Sequence, residues 1–459
     1  MSYKYIIKSL LGTTSNLEPK EWGLSINEND CIVLDGVILN SVSEEYQTPL
    51  HVISKNKLIN NCQKVISAFT EKNMACDIYY SYKTNCVPMV LQIIHQQGIG
   101  AEVISDYELW LALQIGVLPE NIIYNGPDKS EESLELCVKE QIKALHIDSL
   151  DELNKLLVIC KKVGKPANIG LRIRPTKGWV AQLGLDVKSN EVSEAVEIIS
   201  QNRDILNLKG VHVHLGSQVS DIKLYTGTIN EIARIIKEIQ KTLGISIEYV
   251  DLGGGFGVPT VRDITGLERI LCSFLKKPFS KPETQQTPTV EEFGRTITRA
   301  HMDAYEKLNL EAPKLVIEPG RLITSNAEIL LLKVKAVKRS RQFGSSILIL
   351  DGGRMNITVP THYEYHEVIV INNYKHKKNK LYSLYGRTCT PSDLLYKYKY
   401  LSEVKVGDIL AVMDAGAYFT SFANSFAFAR PGIVLIDGGK TVLARERESF
   451  ESRILLDRI

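Results

Sequence analysis

Between about residues 75 and 320 one pattern recurs along the chain. A short, β-rich apolar run ends in polar or glycine residues, and a stretch with apolar positions at i, i+3, i+4 and i+7 follows. The runs are DIYYSYK (77–83), GIGAEVIS (98–105), NIIYNG (121–126), KALHID (143–148), NIGLRIR (168–174), KGVHVHLG (209–216), IEYVDLGGG (247–255) and KLVIEPG (314–320). Segments such as DELNKLLVICKK (151–162) and EIARIIKEIQKTL (231–243) carry the helical period between them. Strands alternating with helices predict a parallel sheet, and eight such units predict closure into a (β/α)8 barrel. An open doubly wound sheet is the alternative that this alternation allows.

Beyond residue 321 the texture changes to β-like runs: SSILILDGG (345–353), YHEVIVIN (365–372), KLYSLYG (380–386), VGDILAVMDAG (406–416) and GIVLIDGGKTVLARE (432–446). The last holds a hairpin signal at Asp437-Gly438-Gly439. CIVLDGVILNSV (31–42) reads the same way. The expected organisation is N-terminal strands over 1–47 that join a β-domain at 326–459, with the barrel spanning 48–325. The seventh and eighth strands are joined by a long connection, 256–313, with the polar stretch SKPETQQTP (280–288). It leaves the barrel on the face where barrel enzymes keep their chemistry, which makes a lid one reading of it.

Charge narrows the function classes. Lys plus Arg number 55 against 53 Asp plus Glu, a net +2, so no basic field favours nucleic acid or an anionic membrane. No apolar run reaches the length of a membrane span, and the N-terminal residues lack a secretory signal, so a cytoplasmic protein is expected. The eight cysteines form no CxxC pair, which suggests neither zinc nor a disulfide framework.

The C-terminal strand ends gather Lys83, Ser105, Asn125, Asp148, Arg174, His214 with Ser217, Gly253 to Gly255, and Glu318 with Gly320 and Arg321. A lysine at a barrel mouth can be partly desolvated and form a Schiff base. The glycine run after the seventh strand can offer bare N–H groups to a phosphate, or simply make a tight turn. His212 and His214 share a face of one strand, and His212 suits a satisfied core position.

The segments YYSYKTN, AEVISDYEL, VHVHLGSQ, DLGGGFG, IEPGR, RTCTPSDLL and DAGAY, in this order, resemble the fold-type III decarboxylases of diaminopimelate, ornithine and arginine. The resemblance implies pyridoxal 5'-phosphate as cofactor, with Lys83 as its Schiff-base lysine. His214 would stack on the pyridine ring and Glu318 would face the ring nitrogen. Ser217, Gly254, Gly255, Gly320 and Arg321 would surround the phosphate or the neighbouring substrate carboxylate. Arg172 and Glu102 would buttress the pyridoxal, where the family often has Asp in place of Glu102. Tyr418 would close over the cofactor. Cys389, reaching in from a second subunit, would donate a proton to the reacting carbon, which implies a homodimer with shared sites. A fold-type III racemase is the rival enzyme reading, and Glu318 and Cys389 speak against it.

The resemblance is weakest where substrate is read. The diaminopimelate pattern places Glu after the cysteine, to bind the distal amino group, and the ornithine pattern places Asp there; this chain has Thr390. An Arg-Pro segment for the distal carboxylate is replaced by Val359-Pro360, with Arg354 five residues earlier. The expectation is an amino-acid decarboxylase acting on a modified, conjugated or carrier-linked substrate of specialised metabolism. Diaminopimelate itself is the alternative, followed by ornithine or lysine.

Overall fold

The computed structural model describes residues 6–8, 10, 17–70, 76–340, 344–357, 360–372 and 374–458. The chain divides into two compact units: Asn61–Gly257 with Pro288–Leu322, and the residues up to Asn60 with Val258–Thr287 and those from Ile323 onward.

The first unit is a closed parallel barrel of eight strands. They are β1 (Cys76–Ser81), β2 (Gly100–Val103), β3 (Ile122–Tyr124), β4 (Ala144–Ile147), β5 (Ala167–Arg172), β6 (Leu206–His212), β7 (Tyr249–Asp251) and β8 (Lys314–Ile317). Each pairs with the next, and β8 returns to β1 through Leu315↔Cys76. Each of the eight overlaps one of the apolar runs read from the sequence, and closure excludes the open sheet. Because barrel strands are covered on both faces, β2, β3 and β4 are buried along their whole length. Short βα turns follow from serines that end one element and cap the next. Ser105, Ser130 and Ser149 accept the backbone N–H groups of Glu108, Ser133 and Glu152. Ser105 is thus a helix cap. Inside the barrel two glycines make room for large polar rings. A Cβ at Gly210 would lie 2.2 Å from the Tyr249 ring, and one at Gly170 would lie 2.5 Å from His146.

The second unit is β-rich. A sheet runs through the strands Leu394–Leu401, Lys380–Tyr385, Ser346–Leu350, Glu328–Lys338, Leu50–Ser54, Gly432–Asp437 and Lys440–Arg445, with Ile409–Val412 and Val368–Val370 branching from it. Leu24–Ile26, Ile32–Leu34 and Val37–Ile38 form a separate three-stranded sheet packed in the same apolar core. Asp437 and Lys440 close the expected hairpin, with Gly438 and Gly439 at φ +56° and +79°. Two differences from the sequence reading stand out. Leu50–Ser54, expected within the barrel at 48–325, pairs with Glu328–Lys338 and Gly432–Asp437 instead. All five of its residues are buried, as a central strand requires, and the helix after it mimics a barrel unit. The connection after β7 also belongs here through Val258–Thr287. Arg262–Asp263 pairs with Glu364–Tyr365, and the buried Arg262 guanidinium meets Glu268 at 2.5 Å and Ser280 O at 2.8 Å. The barrel helix Val290–Glu306 then begins with a Thr289/Glu292 capping box. The segment Val258–Thr287 is a built part of the second unit.

Candidate active site

Lys83 follows β1 in a short turn. Its Nζ lies 3.0 and 2.8 Å from the two carboxylate oxygens of Glu102, on β2. The Glu102 side chain is fully buried, whereas that of Lys83 is 31% exposed, so the amine stands at the mouth with its counter-charge below. Glu318, just past β8, is buried. Asn125, just past β3, donates from Nδ2 to Glu102 at 2.9 Å and to Glu318 at 2.6 Å. Four residues from four strands therefore share one network.

Glu318 faces a second acid. Burial pushes the Asp251 carboxyl far above its usual range, and the charge of Glu318 adds to this. Burial alone would raise Glu318 too, but the Lys83 charge and the hydrogen bond from Asp251 bring it below its ordinary value. The proton of this pair sits on Asp251 and Glu318 is the anion. Asp251 also accepts the Gly253 N–H at 2.8 Å, fixing the start of the glycine loop. His212 stacks on His146 with centroids 4.7 Å apart and lies 3.6 Å from Glu318. Donor atoms of His146, His212, Asp251 and Glu318 fall within 4.8 Å of one another, a grouping that could also hold a metal ion.

His214 accepts a long contact from the Gly254 N–H, 3.4 Å, and packs near Trp179 at 5.7 Å. Burial and the nearby Lys83 charge lower its pKa to about 4, so the ring is neutral at working pH. A Cβ on Gly254 would lie 2.2 Å from Glu318 O, one on Gly255 2.0 Å from Gly216 O, and one on Gly320 2.0 Å from Thr84 Oγ1. Only glycine fits at the three positions, which leaves a main-chain surface beside Ser217 and Arg321, themselves 3.5 Å apart. Arg172 ends β5 and meets Asp148 at 3.3 Å. Arg174 turns away to Asp186 at 3.3 Å.

This donor set suits a phosphorylated, ring-nitrogen cofactor carrying an aldehyde. A mouth lysine would meet the aldehyde, and the buried, anionic Glu318 carboxylate suits a ring N–H. The Ser217, glycine and Arg321 surface suits a phosphate.

Cys389, Thr390 and Tyr418 lie in the second unit. Cys389 is exposed. Its loop is tied by the buried Asp393 carboxylate, which accepts Thr388 N–H (2.9 Å), Thr388 O–H (2.7 Å) and Arg354 N–H (2.7 Å). Arg354 and Thr390 line one cavity of about 520 Å³ with Met355, Ser392, Asn424 and Phe426. Tyr418 holds φ +70°, an uncommon backbone state for a bulky residue. Val359 lies outside the described residues. Sequence reasoning gave no part to His146, Asp251, Tyr249 or Asp393. The first three sit on barrel strands where they read as core, and Asp393 is disguised as a loop aspartate.

The barrel carries a mouth lysine, a buried acid and a glycine-walled surface at its strand ends, a set that suits a pyridoxal-phosphate enzyme of the barrel type. The comparisons name the family. Residues 56–325 match the family described as pyridoxal-dependent decarboxylase, pyridoxal binding domain, and the chain belongs to it. It is a pyridoxal-phosphate-dependent decarboxylase. It is 30% identical over 442 residues to the diaminopimelate decarboxylase of Methanocaldococcus jannaschii, covering 92% of this chain and 94% of that one. It is 27% identical to that of Bacillus subtilis over 447 residues, 94% and 96% of the two chains. The crystal structure of the M. jannaschii enzyme in co-complex with L-lysine superposes with a TM-score of 0.83 at 28% identity, over 95% and 98% of the chains.

Proposed function

We propose that the protein decarboxylates meso-diaminopimelate to lysine and carbon dioxide. The carrying observation is Arg354 in the cavity beside Thr390. A guanidinium there suits a substrate with a second carboxylate at its far end, which ornithine and lysine lack. The near full-length similarity to diaminopimelate decarboxylases supports the same reading.

Pyridoxal phosphate, when bound, supplies the electron sink that takes up the electron pair of the breaking C–C bond as the α-carboxylate leaves as carbon dioxide. The residues of this chain orient and protonate. Lys83 would hold the cofactor through its amine, which Glu102 positions at the mouth. Glu318, kept anionic by the proton on Asp251, holds a proton at the ring nitrogen. His214, neutral, would cover the ring face, with Arg172 and Glu102 beside it and Tyr418 closing the site. Ser217, Gly254, Gly255, Gly320 and Arg321 hold the phosphate. Cys389 of one subunit of a homodimer delivers a proton to the carbon that lost its carboxylate in the other.

Thr390 favours a second reading. With no acid there, a substrate whose distal amino group is acylated or conjugated would fit better than a free ammonium.

The test is mass spectrometry of products from meso-diaminopimelate, both enantiomers of ornithine and lysine, arginine, and N-acylated or conjugated analogues. Lysine formed from meso-diaminopimelate, with a raised KM in Arg354→Met, supports the first reading. Inertness there with turnover of a conjugated analogue supports the second.

A further inference from the structure

The polar groups inside the barrel form a chain whose direction is fixed at every link. Asn125 is 2% exposed, and its Nδ2 faces Glu102 and Glu318. The two carboxylates accept from it, so its amide nitrogen must point to them and its Oδ1 must point away. Oδ1 lies 2.6 Å from His146 Nδ1, which therefore carries the hydrogen. His146 Nε2, left as the acceptor, lies 2.8 Å from the Tyr249 hydroxyl, which donates to it. The polarity runs one way: Tyr249 O–H to His146, His146 N–H to Asn125, Asn125 N–H to both acids. Burial favours the neutral forms of the two rings in the chain, lowering His146 and raising Tyr249. The backbone is fitted to it, since the glycines at 170 and 210 leave room for the rings of His146 and Tyr249.

We propose that Asn125 is a positioning residue that ties Glu102 and Glu318 into one unit, its orientation locked from behind by His146 and Tyr249. Glu102 carries the charge that faces Lys83, and Glu318 the charge that faces the cofactor ring. An amide hydrogen on each holds both carboxylates in place while the amine of Lys83 comes and goes. A buried carboxylate that loses such a donor becomes harder to keep ionised. Asn125 thereby acts on the cofactor through two other residues without touching it.

The tests read the cofactor and the relay before any substrate is added, so their failure is distinct from a failure of the substrate assignment. In the wild-type apoprotein, ¹⁵N NMR of histidine should find His146 as the Nδ1–H tautomer; the Nε2–H tautomer overturns the proposal, and no variant need fold for that result. Asn125→Asp keeps size and still accepts from His146 but donates to neither acid. It should weaken pyridoxal phosphate binding by about tenfold or more, the scale of one charge-assisted hydrogen bond. It should also alter the visible absorption spectrum of the holoenzyme and lower kcat more than it raises KM. Asn125→Ala, which adds no charge, should reproduce the weaker binding and altered spectrum. Tyr249→Phe removes the donor that fixes the His146 tautomer but leaves both Asn125 donors in place, so it should change the His146 signal and shift the spectrum less than either Asn125 variant. Wild-type spectra and cofactor affinity in both Asn125 variants would overturn the proposal.

Discussion

Glu102 meets Lys83 Nζ with both carboxylate oxygens, at 3.0 and 2.8 Å, from a fully buried position below a half-buried amine. The pair gives the lysine a fixed site at the barrel mouth. It also sets the charge that must be compensated when the amine becomes neutral in reaction. Glu102→Gln keeps the shape but turns an amide N–H toward an ammonium. It should fold as the wild type by circular dichroism and lose on the order of 10²-fold in kcat/KM, as expected for a group that manages a proton. Lys83→Ala should lose at least about 10³-fold, as expected for a residue that acts as one unit with the rest of its site. It should also lose the visible absorption of bound cofactor. Carbon dioxide release and absorption spectra check both.

Cys389 is exposed on the second unit, while Lys83 lies in the barrel. If each site draws its cysteine from a second copy, two dead variants can repair one another. Mixing inactive Lys83→Ala with inactive Cys389→Ala and letting subunits exchange should restore activity, since each hybrid dimer has one intact site. Random reassortment of a two-fold dimer makes about a quarter of all sites intact. No recovery after proven exchange would place both residues in one subunit.

Much of this was legible in the sequence because barrel chemistry sits at strand ends, where a polar residue interrupts an apolar run. Lys83, His214, Glu318 and the glycine loop announced themselves that way. Asn125 was visible at its strand end but had no role, because a bridge between two acids depends on which strands are neighbours around the barrel. His146 and Tyr249 were illegible for a related reason: on a strand buried on both faces, inward polar residues do not break the apolar pattern. Leu50–Ser54 was misplaced because a strand followed by a helix has the same signature whether or not it enters the barrel. The strands Glu328–Lys338 and Leu394–Leu401 went unread because neither alternates cleanly: Glu328–Leu332 is buried throughout, and in Leu394–Leu401 Lys399 is buried while Tyr400 is exposed.

Acid should destabilise the barrel through its histidines. His146, His212 and His214 all have pKa values depressed below the ordinary 6.5 by burial, His214 to about 4. The unfolded chain binds more protons than the native one in that window, so stability is full above pH 6.5 and is lost as pH falls toward 4. Asp251 acts with the opposite sign. Its raised value contributes stability at low pH that is lost as pH rises through the folded pKa. His212→Phe preserves a ring stacked on His146 and removes one titrating group. It should flatten the acid limb of the stability curve by up to about 1.4 kcal/mol per pH unit, one proton's worth. Denaturant titrations across pH 4 to 7 would show it, and an unchanged slope would mean that His212 is not held neutral.

Asp414 carries the strongest stability prediction for the second unit. Its buried carboxylate accepts Trp22 Nε1–H at 2.7 Å on Oδ2, and the hydroxyls of Thr260 and Ser325 at 2.7 and 3.0 Å on Oδ1. One side chain thus gathers the N-terminal segment, the excursion after β7, the start of the sheet region and the loop that leads to Tyr418. Asp414→Ala strands three buried donors and should cost on the order of 3–5 kcal/mol, given roughly 1–3 kcal/mol for each unsatisfied group after partial relaxation. Asp414→Asn separates the donors. Its Oδ1 can still serve Thr260 and Ser325, but its amide meets the Trp22 N–H donor to donor, so the loss should be about 1–3 kcal/mol. Trp22→Phe removes that clash, so it should cost less in the Asp414→Asn background than in the wild type, a coupling that a double-mutant cycle measures. Additive losses in guanidinium titrations would mean that Trp22 contributes by packing alone and that its hydrogen bond to Asp414 carries no net weight.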